Sequence, residues 1–380
     1  MALEQPQAID VRPATSQRER QKQLVLLLSR VWAWVFLGVM IVFLIVSIRT
    51  TSDGSVNFLT VRNSQNILVA ITPVLLLGLG QTFVIIAGGI DLSVGWMMSL
   101  ASVISALVIR ASFNGGQPLL AAVIIGFVAT VVITGIIGFL NGTIIARLKV
   151  PAFIVTLGSS FIVRGVAFLL TDNTTVIGLP DGLRDYGNNA LIYLIRGEGG
   201  GLFFLNPPDV TGDALRNMDR ILPFPVVLTA IVVAITMFML RKTQFGRHTY
   251  AIGGNMEAAL RAGIPVDRHI ISLYMLSAVT AGIAGLLSTL RFNAGSAVIG
   301  DPLLLSSIAA VIIGGVSLFG GAGTVSGTVI GALIIAVLQT GLVMLNVQPF
   351  WQFIVVGIVV ILAVLIDQSR DLSIGRFEAG

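Results

Sequence analysis

Apolar residues in this chain come in long unbroken blocks, and polar residues are confined to the gaps between them. A helix that crosses a bilayer needs roughly 20 mainly apolar residues. Windows of that size predict about ten spans, at 24–48, 66–87, 93–112, 118–146, 152–171, 221–240, 269–290, 303–320, 324–346 and 351–366. No charged residue occurs from Pro302 to Ile366, a length over which a water-soluble domain could not stay in solution. The first block is too long for a cleaved signal peptide, and no small-x-small cleavage site precedes a mature start. The pattern therefore predicts an all-α polytopic membrane protein.

Lys and Arg positions orient the spans, because cytoplasmic loops carry the excess of basic residues. Arg12, Arg18, Arg20, Lys22 and Arg30 precede or enter the first span, which puts the N-terminus in the cytoplasm. Ten crossings return the C-terminus to that side. The expected organisation is a cytoplasmic tail at 1–23, a single membrane domain at 24–366 and a cytoplasmic tail at 367–380. Arg147 and Lys149 fall inside, as does the 241–268 loop with its five Arg and Lys. The 172–220 segment falls outside, with seven Asp and Glu against four Arg. Arg49, Arg62, Arg110 and Arg291 stand singly on the wrong side. Glycines, an Asn-Pro-Pro run and Asp-Gly pairs give 172–220 turn chemistry: either a surface loop with one short helix near 210–220, or a docking surface for an external partner.

Composition narrows the chemistry. Only 11% of the 380 residues are charged, against about a quarter in globular proteins. The absence of cysteine removes disulfides, thiolate metal sites and cysteine nucleophiles. The two histidines, His248 and His269, lie by the 241–268 loop, so a histidine metal site inside the membrane is excluded. Basic residues scattered over short loops serve orientation and do not form a phosphate-binding groove.

Two glycine clusters break the apolar blocks. Ala87-Gly88-Gly89-Ile90-Asp91-Leu92-Ser93-Val94-Gly95 carries a carboxylate, with Ser93 placed to cap the next helix. Asp91 fits either a helix-capping turn at the membrane edge or a polar cavity on a transport route. The second cluster, Gly314-Gly315 through Gly320-Gly321-Ala322-Gly323, fits close helix packing or a half-helix break. No Lys follows its glycines, so it is a poor phosphate loop. Arg164 is the one basic residue deep inside a span; it is a functional candidate or a brace between two helices. The stretch Gly138 to Phe153 is echoed by Leu338 to Trp351, which suggests an inverted repeat of spans 2–5 and 7–10 with some broken or half helices.

The 241–268 loop is polar, basic and helix-forming. Gly253 and Gly254 let the chain turn into a short helix, Asn255 caps it, and Glu257 suits its positive end. Ala258 and Ala259 keep one face thin enough for another protein's groove to close on the backbone. Gly263 and Pro265 stop the helix. That is the shape of a lever by which a soluble motor pushes a membrane channel. No Walker sequence is present, so the energy source is another chain.

These residues carry a family resemblance. Gly88 to Gly95, Val150-Pro151-Ala152-Phe153-Ile154-Val155-Thr156-Leu157-Gly158 with Arg164-Gly165, Gly246-Arg247-His248-Thr249-Tyr250-Ala251-Ile252-Gly253-Gly254-Asn255 with Glu257-Ala258-Ala259, and Ile308 to Gly315 with Gly320-Gly321 resemble sugar-importing ABC transporter permeases of the ribose/xylose/galactose type. The matches run from about residue 60 to 366. The resemblance implies a bacterial inner-membrane subunit with no catalysis and no cofactor of its own. Its partners would be an ATPase, often with two nucleotide-binding domains in one chain, that carries ATP and Mg; a second permease copy or related permease; and a periplasmic or lipid-anchored sugar-binding protein. No nucleic acid is involved. Arg247, Gly253, Gly254, Asn255, Glu257, Ala258, Ala259 and Gly263 would be the ATPase-coupling residues. Gly88, Gly89, Asp91, Ser93, Asn141, Thr156, Arg164, Gly314 and Gly315 are the pathway or gate candidates. The tail of about 23 residues and the 172–220 segment are longer than is usual in the family. A branched-chain amino-acid ABC permease is the nearest alternative. An ion-coupled transporter would want more mid-membrane carboxylates, and a membrane enzyme has no residues here from which to build a site.

Overall fold

In this computed structural model residues 34–46, 58–195, 200–205, 208, 218–348, 350–358, 361 and 365 are described. The expected tails at 1–23 and 367–380 lie outside them. The helices are α1 (Trp34–Val46), α2 (Val61–Ile86), α3 (Val94–Asn114), α4 (Leu119–Arg147), α5 (Ala152–Thr171), α6 (Leu183–Asn188), α7 (Phe224–Lys242), α8 (Gln244–Gly254), α9 (Met256–Arg261), α10 (Val266–Phe292), α11 (Leu303–Ile313) and α12 (Val325–Met344). A last helical stretch covers 350–358. Seven of these helices are long and apolar enough to cross a membrane: α2, α3, α4, α5, α7, α10 and α12. The chain is a polytopic, mainly helical membrane protein.

Sequence chemistry sets the boundaries. Prolines 118, 151 and 223 stand immediately before α4, α5 and α7, where a missing N–H costs nothing. Thr60 and Thr324 accept bonds from the Asn63 and Gly327 amides and so cap α2 and α12. The window at 303–320 yields only the short α11. At its end Gly315 takes φ 81°, its N–H bonds Ile312 O at 2.8 Å, and Val316 N bonds Val311 O at 3.2 Å. This is a left-handed C-terminal stop. Gly88 (φ 82°) ends α2 in the same way, through Gly88 N to Ile85 O and Gly89 N to Val84 O, both at 2.9 Å.

Helix α10 is the hub, packing along α4, α3 and α2. The contact with α4 runs over glycines four residues apart. A Cβ at Gly138 would sit 2.5 Å from Tyr274 O, and one at Gly142 would sit 2.6 Å from Ile271 Cα. With lipid as solvent, apolar burial does not drive helices together, and small residues that admit close backbone contact do. Helices α2 and α3 are 83% and 78% buried over their most apolar windows, whereas α4, α5 and α7 are 28%, 28% and 22% buried and form the outer layer.

Among the described residues the segment between α5 and α7 is not simply a loop, and the helix expected near 210–220 falls mostly on residues outside them. Strands β1 (Ala190–Ile195), β2 (Gly201–Phe204) and β3 (Met218–Pro223) form an antiparallel sheet in the order β2-β1-β3. The register pairs Tyr193 with Phe203 on one side and Arg220 on the other. Tyr193 is fully buried, and its hydroxyl accepts the Ala190 amide at 2.9 Å. Such internal pairing was hidden in the sequence because glycine and proline clusters dominate the segment. Residues 209–217 lie outside the described residues.

Candidate translocation and coupling site

Contacts sort the turns between helices into two groups. In one, Val176 pairs with Gly295, Asn188 Nδ2 donates to Arg291 O at 2.9 Å, and Arg110 donates to Ile177 O at 3.1 Å. In the other, Lys149 pairs with Asp267 at 2.9 Å, Arg241 donates to Ser326 Oγ at 2.9 Å, and Gly321 N donates to Ile86 O at 2.8 Å.

After α2 stops at Gly88, the chain bends back into the bundle, and five helices close on it. Asp91 is 1% exposed. Its Oδ1 accepts Ser93 N at 2.9 Å and Ser93 Oγ at 2.6 Å, and its Oδ2 accepts Ser277 Oγ of α10 at 2.7 Å. From α2, Gln81 Nε2 donates to Asp91 O at 2.5 Å. From α4, Asn141 Nδ2 reaches Ser93 Oγ at 3.5 Å. From α5, Thr156 Oγ1 lies 3.3 Å from Ile90 O while donating to Ala152 O at 2.9 Å. Asp91, Ser93, Asn141 and Thr156 thus meet in one polar node with Gln81 and Ser277. One carboxylate oxygen holds the turn itself through Ser93 and the other ties it to α10 through Ser277. Ser93 stands at the N-cap of α3, but its hydroxyl serves Asp91 and caps no helix amide.

The other pathway candidates lie elsewhere. Gly314 packs on the Gly327 backbone, where a Cβ would collide, and with Gly315 it ends the short α11 inside the 303–320 window before the chain turns to α12. Arg164 is exposed on α5, and its guanidinium sits 4.6 Å from the Trp96 ring centroid and 5.7 Å from that of Phe168. It braces α5 on α3 through aromatic faces.

The 241–268 loop folds as α8 and α9. Gly253 is required for space, since a Cβ there would collide with Ile86 O; its φ is ordinary, and the next Cβ contact would be Gly321 N at 2.6 Å. Gly254 has open space and no such need. Tyr250 donates to Gly323 O at 2.7 Å, and burial raises its phenol pKa, which keeps it a neutral donor. His269 Nε2 meets Thr249 Oγ1 at 2.9 Å, and Thr249 donates to Phe245 O, which makes the imidazole N–H the donor between them. The inner face of α8 is therefore fastened to both glycine turns and to α10. Arg247 is exposed beside it.

Helix α9 is capped as the sequence implies: Asn255 Oδ1 accepts Ala258 N at 2.9 Å, and Glu257 pairs with Arg261 at 2.6 Å. Gly263 (φ 79°) stops it, with Ile264 N bonded to Ala259 O at 3.1 Å. One expectation fails. Ala259 is 4% exposed and packs into the protein's own core, so it is not part of a thin outward face. The outward face carries Met256, Glu257, Ala258 and Leu260, with Met256 44% and Leu260 52% exposed. Sequence reasoning missed this apolar pair, although two large apolar residues four apart in a polar loop were a visible signal. It also missed Ser277, which looks like an ordinary span residue.

A family model described as branched-chain amino acid transport system permease component matches residues 63–364. The xylose transport system permease protein of Haemophilus influenzae is 38% identical over 84% of this chain and 92% of its own length. The ribose import permease protein of Bacillus subtilis is 37% identical over 88% and 92%, and the D-allose transport system permease protein of Escherichia coli is 35% identical over 86% and 90%. The chain belongs to this ABC permease family. No solved structure matches it. As a family member the permease spans the membrane many times and works as a transport subunit. Among the described residues it has no cluster of His, Cys, Asp and Glu able to hold a metal.

Proposed function

We propose that this permease forms the route for a monosaccharide in an ATP-driven importer, with an external binding protein delivering the sugar and a partner ATPase holding ATP and Mg. The relatives named for xylose, ribose and allose, alike over most of the chain, support the sugar class. The carrying observation is how the 241–268 loop is seated. Gly253 sits against the ends of both glycine turns, while Met256 and Leu260 stand free on the far side. Gly253, just before α9, lies directly against the Ile86 carbonyl, so a movement of the loop bears on the turn that leads to Asp91. The loop is the ATPase-coupling element and faces the cytoplasm, as its basic residues favour.

A second permease copy belongs on α5. Phe161, Ile162 and Leu169 are 62%, 68% and 80% exposed there, on the helix that carries the exposed Arg164. A cation at span depth is expensive against lipid, and a partner helix or a wet pathway removes that cost.

The test is to co-purify the permease with its ATPase and measure ATPase retention and uptake for Met256→Asp and Leu260→Asp. Both side chains point away from the permease core, so the membrane fold should survive. Loss of retention or of coupled uptake is expected. Wild-type retention and uptake in both variants would show that α9 is not the contact. Uptake of leucine or isoleucine, with none of pentoses or hexoses, would overturn the sugar class.

A further inference from the structure

One cleft is left unused by transport and coupling. It occupies about 290 Å³ between α2, α7, α10 and α11, at the lower end of the size of small-molecule sites. Its walls include Ala70 and Pro73 of α2, Pro225 of α7, Leu287 of α10 and Leu303 of α11. The two hydroxyls in the lining are already satisfied: Thr72 donates to Val69 O and Ser288 to Ala284 O, each at 2.9 Å. Their protons are committed, so they could only accept from a sugar, and the rest of these walls is apolar.

Arg291 is the single charged side chain of the lining. It is partly buried at the last turn of α10, and its guanidinium lies 5.3 Å from the neighbouring Phe292 ring. Among the described residues no carboxylate pairs with it and no side-chain hydrogen bond satisfies it. A cation at the end of a span beside an apolar cleft matches one ligand chemistry, a single negative charge attached to a hydrocarbon chain. The surrounding bilayer supplies such molecules. Arg also suits phosphate geometry, which its planar fork can meet with two parallel bonds.

We propose that this cleft binds an anionic phospholipid, with the phosphate on Arg291 and acyl chain against Pro73 and Leu287. This accounts for a basic residue standing where the orientation rule disfavours one. It depends neither on the transported substrate nor on which leaflet the site faces.

The test uses the full chain in a non-ionic detergent, with bound lipid counted by native mass spectrometry. Phosphatidylglycerol should be retained at least tenfold better than phosphatidylcholine of the same chains. Arg291→Gln should reduce phosphatidylglycerol to the phosphatidylcholine level, Arg291→Lys should keep the preference, and Ala70→Phe, which fills the cleft from a partly exposed position, should lower retention of both. Equal retention of the two lipids by the wild type would overturn the proposal, as would an unchanged preference in Arg291→Gln. Displacement of phosphatidylglycerol by low-millimolar inorganic phosphate would reassign the site to a free anion and also overturn it. If Arg291→Gln cannot be purified, the wild-type preference and the Ala70→Phe result still decide.

Discussion

Replacing Asp91 by Asn and by Ala separates a structural brace from a group that acts in transport. The carboxylate accepts three bonds, from Ser93 N, Ser93 Oγ and Ser277 Oγ. Side-chain hydrogen bonds inside membrane proteins average about 0.6 kcal/mol, with a maximum near 1.7, so the three together stabilise by about 2–5 kcal/mol. An amide oxygen in Asn keeps both Ser93 bonds, and the Ser277 hydroxyl can turn to accept from the new NH₂. The bonds lose their charge assistance, but a buried charge is also removed, and the two changes oppose each other. The net cost of Asp91→Asn should be about 1 kcal/mol. Asp91→Ala loses all three bonds and leaves Ser93 N without its acceptor, so it should cost about 3–5 kcal/mol. Thermal unfolding in detergent measures the two variants, and sugar uptake is measured beside it. The brace predicts a small shift with near-normal uptake for Asn and a large shift for Ala. An Asn variant as stable as wild type but inactive in uptake would refute the brace and put the carboxylate on the pathway.

Gly253→Ala should lower coupled uptake by about tenfold or more, because its Cβ would displace the Ile86 carbonyl, whereas Gly254→Ala, in open space, should leave uptake unchanged; uptake assays on the two compare them directly. Gly142→Leu should separate α4 from α10 and cost about 1–3 kcal/mol or more by overpacking, read as a lower melting temperature, while Gly158→Ala on the exposed α5 should cost little. Orientation can be read with single cysteines, since the chain has none. In intact cells an impermeant thiol reagent should label a cysteine replacing Asp185 and spare one replacing Gln244, and the reverse pattern would invert the proposed topology.

Much of this protein is determined by local chemistry and so could be read along the chain. Seven of the ten expected spans are long apolar helices among the described residues, because a lipid solvent demands continuous helix over about 20 positions. Helix ends follow from Pro118, Pro151, Thr324 and Asn255, whose preferences act within one turn. The node around Asp91 was only half legible: Asp91, Ser93, Asn141 and Thr156 stood out as polar residues in apolar surroundings, but Ser277 lies 186 residues from its partner, and nothing local pairs them. Only the tertiary structure decided that Gly253 is needed for space and not for conformation, that Ala259 faces inward while Met256 and Leu260 face out, and that 190–195, 201–204 and 218–223 pair as a sheet. Each of these depends on which surface comes to lie opposite, and that is settled by packing between segments far apart in the chain.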